Sequence, residues 1–214
     1  MQQIRPVNNP AHIFSMFGPT SKAFTAGMSE CGKSTIGRFV QKLYPRVVVI
    51  DTLNEYKNEK RVSGLLNFVD AIKKVKDQHE FRIIYSFPLG KSDTKEQFDK
   101  LCEIIYYLGN VHLNIEEVHN YCSPANIGYW FSLLNTGGRH ENVSIYSSSQ
   151  RLAMVHNNVT SQAHHKFIGQ LDNHRDFKAA AEYFNDNDVR ALTRYNFLHK
   201  YNNEFSSFNT KILI

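Results

Sequence analysis

The sequence predicts an α/β fold: a mainly parallel central sheet flanked by helices, with an antiparallel hairpin at the C-terminal end. Two observations predict the sheet. Short apolar runs alternate along the chain with helical patterns, as βαβ units require. Those runs are continuous rather than alternating, as expected of strands covered on both faces. A third observation bounds the size: 214 residues, 42% hydrophobic and 21% charged, fit one globular domain with its own core. The whole chain, 1–214, reads as that single domain, with residues 1–20 as an N-terminal extension and 195–214 as the hairpin.

The strands are justified in order. Residues 22–26 form a short run ending at Gly27. Val47-Val48-Val49-Ile50 ends at Asp51, and residues 81–87 are closed by Pro88. Val111 to Ile115 ends at Glu116-Glu117, and residues 143–147 lead towards Gln150. Residues 166–168 make a weaker run. Helices are predicted over 34–43, 62–76, 93–108, 127–134, 160–165 and 176–184. In the second of these, Leu65, Leu66, Phe68, Val69, Ile72 and Val75 recur at helical spacing, with Lys73, Lys74 and Lys76 mostly elsewhere. The hairpin is expected around Asn202-Asn203-Glu204, with Lys211-Ile212-Leu213-Ile214 as its second arm.

Composition excludes several classes. Cys31, Cys102 and Cys122 have no CxxC spacing, so neither a disulfide framework nor a zinc ribbon is expected, and a reducing compartment fits. No run approaches the roughly 18 apolar residues of a membrane span, and the polar start has no signal-peptide core. The chain is therefore expected to work in a cytoplasm and not to be secreted. Its 20 Asn residues disfavour a hyperthermophilic source. The net charge of +5 is uneven: residues 1–100 hold 16 basic and 10 acidic groups, including Lys57, Lys60, Arg61, Lys73, Lys74, Lys76 and Arg82. Such an excess is either an electrostatic footprint for nucleic acid or a solvated helix face.

The strongest motif is Gly27-Met28-Ser29-Glu30-Cys31-Gly32-Lys33-Ser34-Thr35, a full match to G-x-x-x-x-G-K-[ST] between an apolar run and a helical pattern. The glycines let the backbone wrap a phosphate chain, and backbone N–H groups with the helix N-terminus point at the anion. Lys33 is expected to reach the β- and γ-phosphates of ATP, and the Ser34 hydroxyl to bind Mg²⁺. Val111-His112-Leu113-Asn114-Ile115-Glu116-Glu117 reads as a Walker B strand. Glu117 is expected to activate the attacking water. Glu116, where Asp is commoner, is assigned to the magnesium shell.

Further residues carry a family resemblance. Val47 to Ile50, followed by Asp51-Thr52-Leu53-Asn54-Glu55-Tyr56, is similar to a segment of FtsK/HerA-type P-loop ATPases. So is residues 137–151, with Arg139-His140 before a strand that ends in Gln150-Arg151, and so is residues 161–171. The resemblance spans roughly residues 20–176. It implies a RecA-like (ASCE) fold, a homo-oligomeric ring such as a hexamer with ATP between neighbours, and double-stranded DNA as the moved partner. By position it implies Gln150 as a γ-phosphate sensor and Arg139 as an arginine finger acting on a neighbour's ATP. Arg151 and Arg175 are rivals for that finger. Because the chain is close to a bare motor, it resembles the genome-packaging ATPases of tailless icosahedral viruses with an internal membrane. That resemblance admits capsid-vertex or portal proteins as partners, peripheral membrane contact, and a place in the host cytoplasm or the virion. The alternatives are a filamentous-phage-type assembly ATPase acting on protein partners, or a small-molecule P-loop kinase.

Other residues are read more plainly. The pairs His164-His165 and His112…His119 lack metal-ligand spacing and are read as core or surface histidines. Cys31 could have a lowered thiol pKa at a helix N-terminus but is read as a small filler. Tyr129-Trp130-Phe131 could stack bases, but the helical spacing towards Leu133 and Leu134 reads as core.

Overall fold

The fold is that of a computed structural model describing residues 4–56, 61–87 and 94–213. In chain order the strands are β1 (Arg5–Pro6), β2 (Lys22–Ala26), β3 (Arg46–Ile50), β4 (Arg61–Ser63), β5 (Phe81–Ser86), β6 (Val111–Ile115), β7 (Val143–Ser149), β8 (His165–Ile168), β9 (Asn196–Tyr201) and β10 (Glu204–Asn209). The helices are α1 (Ala11–Ser15), α2 (Lys33–Gln41), α3 (Leu65–Val75), α4 (Thr94–Leu108), α5 (Tyr129–Gly137), α6 (Asn157–Ser161), α7 (His174–Ala180) and α8 (Asp186–Arg190). The strands form one sheet in the order β1-β10-β9-β8-β2-β7-β6-β3-β5-β4. Every neighbouring pair from β8 to β4 is parallel, while β8-β9 and β9-β10 are antiparallel. The mainly parallel sheet and its hairpin are thus as the sequence predicts.

The strands are continuous apolar runs because both faces are covered. On one face Phe24, Val48, Ile50, Leu113 and Ile115 pack against Phe98, Leu101 and Phe131 of α4 and α5. On the other, Ile36 and Val40 of α2 meet Tyr146, Phe167 and Phe197. The topology places one strand, β7, between β2 and β6. The loops that follow β2, β6 and β7 therefore open at one end of the sheet, where ligands of parallel α/β folds bind.

Several boundaries differ from the sequence expectation. The helix expected over 62–76 begins only at Leu65, because Gly64 sits at φ 84 and residues 61–63 form strand β4 beside β5. The segment 160–165 divides between the end of α6 and the start of β8. The hairpin turns at Asn202, whose φ of 53 suits an asparagine. Its second arm is Glu204–Asn209; the bond from the Thr210 amide to the Tyr195 carbonyl is the last of the ladder, because Tyr195 at φ 70 leaves the extended conformation, and Thr210–Leu213 is a 3-10 turn. Residues Lys57, Lys60, Pro88, Asp93 and Ile214 lie outside the described residues. The aromatic trio also divides: Phe131 is core, whereas Tyr129 is exposed and Trp130 half-buried against Tyr106 and Tyr107.

The basic excess is partly structural. Arg61 pairs with Asp51 at 2.6 Å, and Arg82 donates to Gln41 and lies over the Tyr56 ring. Three histidines are core members. His112 stacks on Tyr44 and shares a hydrogen bond with Ser144, and His165 and His199 share one with each other. Burial pushes each of their pKa values down to about 3. Below the ordinary histidine pKa of about 6.5 the unfolded chain takes up protons that the folded chain refuses. Stability is therefore fully present above pH ~6.5 and is lost as pH falls towards 3, at up to about 1.4 kcal/mol per pH unit for each histidine. Thermal unfolding between pH 7.5 and 4.5 is expected to show a falling midpoint. His112→Asn, which keeps a partner for Ser144, should make the fall shallower; an unchanged slope would remove His112 from the explanation.

Candidate active site

The motif Gly27 to Thr35 leaves β2 and enters α2. Its start is anchored to both neighbouring strands: the Gly27 amide donates to Ser149 O at 3.2 Å, and the Met28 amide to Gln170 O at 2.7 Å. Its end turns at Gly32, φ 109, where a Cβ would collide with the Thr210 hydroxyl. That position is closed to any side chain by backbone angle and by space. Cys31 is buried with its sulfur against Gly27 and Gly169, and burial raises its thiol pKa, so it is the filler expected and not a thiolate. The buried Lys33 ammonium folds back over the loop and donates to Gly27 O and Met28 O at 2.9 and 3.0 Å. Tyr146 of β7 donates its hydroxyl to Lys33 O at 2.9 Å, fixing the start of α2.

The acidic pair separates in role as soon as its backbone is followed. Glu117 lies at φ 52, which turns its side chain back over the end of the sheet. One Glu117 oxygen stands 4.0 Å from the Lys33 ammonium. Gln150 holds that carboxylate twice: its amide donates to Oε2 and its side chain to Oε1, each at 3.0 Å. His119 Nδ1 lies 3.3 Å from Oε2 and 3.0 Å from Ser149 Oγ. Burial lowers the His119 pKa, although the Glu117 charge opposes this, so the ring is neutral near pH 7. Glu116 points under α2, with Oε1 3.3 Å from where a Gly37 Cβ would stand. It accepts from Ser148 Oγ at 2.6 Å and from Asn114 Nδ2 at 3.2 Å. Its burial pushes its pKa up, so the charged form gains most from an arriving cation.

His119 and Ser148 beside the acids, and Ser149 beside His119, are site neighbours that no motif in the sequence marks. The signal was three serines in succession in a strand that turns out fully buried, where hydroxyls need partners. Nor does the sequence disclose what Asp51 does. That carboxylate accepts the amides of Glu55 and Tyr56 at 3.0 and 3.2 Å and pairs with Arg61, so the Asp-Thr-Leu-Asn-Glu-Tyr segment is a capped turn beside the site.

The three arginines stand apart. Arg139 is exposed in the turn before β7, at the end of the sheet opposite the motif. It cannot reach its own chain's Lys33. Arg151 Nε is tied to the buried Asp176 at 3.0 Å, and Arg175 is at the start of α7.

The residues fit a nucleotide with its divalent cation. The loop is closed to side chains and lined by an ammonium. Ser34, in the first turn of α2, and Glu116, facing the same helix one turn on at Gly37, are both hard oxygen donors. Among the described residues no cluster of three or more His, Cys, Asp or Glu could hold a metal alone. Magnesium bound with substrate phosphates needs only one or two protein ligands.

This arrangement, a mainly parallel sheet with flanking helices and a C-terminal antiparallel hairpin, is a RecA-like fold. Among solved structures it is similar to the genome packaging NTPase B204 from Sulfolobus turreted icosahedral virus 2 in complex with ATP-gammaS. The TM-score is 0.72 at 15% identity, over 89% of this chain and 98% of that one. The pCW3 conjugation coupling protein TcpA in its monomer form with ATPγS matches with TM-score 0.59 at 13% identity, over 89% of this chain and 60% of that one. The cytoplasmic domain of the Thermomonospora curvata type VII secretion ATPase EccC matches with TM-score 0.58 at 13% identity, over 90% and 25%. At these identities the likeness is one of fold. No protein-family model and no curated protein matches the sequence.

Proposed function

We propose that the chain is an ATPase that moves double-stranded DNA, working as a viral genome-packaging motor in a homo-oligomeric ring. The observation that carries the ATPase reading is the Glu117 carboxylate, clamped by Gln150 at 4.0 Å from the P-loop lysine. Lys33 would neutralise charge on the β- and γ-phosphates. Ser34 and Glu116 would hold Mg²⁺, which supplies further charge neutralisation when bound. Glu117 would take a proton from the attacking water. Gln150 keeps its carboxylate aimed, and by the same two bonds it links the end of β7 to events at the γ-phosphate.

The ring reading is supported by the place of Arg139. A guanidinium at the far end of the sheet completes a nucleotide site only on another copy. The DNA reading is supported by the near end-to-end likeness to a genome packaging NTPase and by the basic balance of the sequence. Capsid-vertex or portal proteins are the partners of such a motor. No helix among the described residues is long and apolar enough to cross a membrane. Steady-state hydrolysis with and without linear duplex DNA tests the proposal: stimulation supports it. Phosphate transfer to a small acceptor, with no effect of DNA, would make the chain a kinase.

A further inference from the structure

Seven residues other than glycine have positive φ among the described residues. Four are asparagines, the residue type that tolerates the left-handed region best. The other three are Glu30 (φ 58), Glu117 (φ 52) and Tyr195 (φ 70). Glu30 and Glu117 belong to the nucleotide site itself. Tyr195 is an aromatic residue in a conformation that glycine would adopt without cost, and strain of this kind persists where a side chain is needed.

Its surroundings place Tyr195 at the same site. Arg194 donates to Glu30 O at 3.2 Å and pairs with the Glu30 carboxylate, tying the residue before Tyr195 to the tip of the P-loop. The Tyr195 carbonyl accepts the Thr210 amide at 2.8 Å, and the Thr210 hydroxyl abuts Gly32. No aromatic ring packs on Tyr195 among the described residues; its ring neighbours are the cations of Arg194 and Lys211, at 5.2 and 5.0 Å. It is half-buried and belongs to neither face's core.

Strand order then fixes which end of a nucleotide it would meet. Glu117, which follows β6, marks the γ-phosphate end on the β7 side of β2. The hairpin that carries Tyr195 lies on the β8 side. A nucleotide with its γ-phosphate at Glu117 extends its base the other way, over this corner. We infer that Tyr195, held at φ 70 with Arg194 and Lys211 beside its ring, is the stacking shelf for the planar base, so that the C-terminal hairpin is part of the nucleotide site. This rests on the nucleotide reading of the P-loop proposed above.

The test is calorimetric binding of ATPγS and of inorganic tripolyphosphate, which carries phosphates and no base. Tyr195→Gly suits the backbone angle and removes the ring, so it is expected to fold. It should weaken ATPγS about tenfold to a hundredfold, the range of aromatic stacking on a base, and leave tripolyphosphate unchanged. Tyr195→Phe should keep wild-type affinity for both. Wild-type ATPγS affinity in Tyr195→Gly would overturn the inference. So would an equal loss of both ligands, which would make Tyr195 a prop for the loop. If the wild-type chain bound neither ligand, the nucleotide reading itself would fail and take the shelf with it.

Discussion

Glu117→Gln is expected to lower the turnover of ATP by about a hundredfold to ten-thousandfold, the contribution of a positioned general base, while ATP binding survives. Binding survives because Lys33, the glycines and the helix N-terminus are untouched. Removing a negative charge 4.0 Å from the Lys33 ammonium should, if anything, favour the incoming phosphates. The loss falls on the chemical step for two reasons. An amide cannot take the proton of an attacking water. It also offers one acceptor where Gln150 presents two donors, so one of the two 3.0 Å bonds is lost and the group loses its aim. Comparing single-turnover hydrolysis with nucleotide affinity separates these effects. A variant that turns over within tenfold of wild type would move the base elsewhere, and Glu55, whose charge acts on Glu116, would be the next to replace.

The second large effect is expected from Arg139→Ala. A guanidinium that meets charge developing on the γ-phosphoryl oxygens is worth roughly 10³–10⁵ in rate. Because Arg139 sits at the opposite end of the sheet from its own P-loop, the loss should be rescued in trans. Mixed with Glu117→Gln chains, Arg139→Ala chains contribute intact bases and receive intact arginines, so activity should return above that of either variant alone. Arg151→Ala should behave differently. Its partner Asp176 also accepts the Ala153 amide at 2.7 Å, so the change frees a buried carboxylate and lowers stability before it alters chemistry. Mixtures as inactive as each parent would leave the finger unassigned.

Most of the fold was legible because the sheet is written in one code. Buried parallel strands are runs such as Val47 to Ile50, and the P-loop fixes which strand leads into which helix. What escaped depends on partners far along the chain. Nothing local marks residues 61–63 as a strand; they pair because β5 offers an open edge and Gly64 stops the helix. Thr210 leaves the hairpin because of Tyr195, 15 residues away. The acids and the lysine were named from motifs and Gln150 from the family resemblance, yet their arrangement was not. That Glu117 and Gln150 form one clamped unit, and that Glu116 faces α2 instead, follows from φ 52 at Glu117, which no spacing discloses. His119 was read with His112 as a plain core or surface histidine because the pair lacks metal-ligand spacing, and the fold sets its ring against the Glu117 carboxylate and Ser149.

Hydrolysis at the Lys33–Glu117 site is expected to be coupled to duplex DNA. Its most direct test is the ATPase rate titrated with linear duplex DNA at rising salt. Contacts made to phosphates should give a DNA-stimulated rate that requires Lys33 and Glu117 and whose half-maximal DNA concentration climbs steeply with salt. A rate indifferent to DNA at low salt, from a chain that binds and hydrolyses ATP, would contradict it.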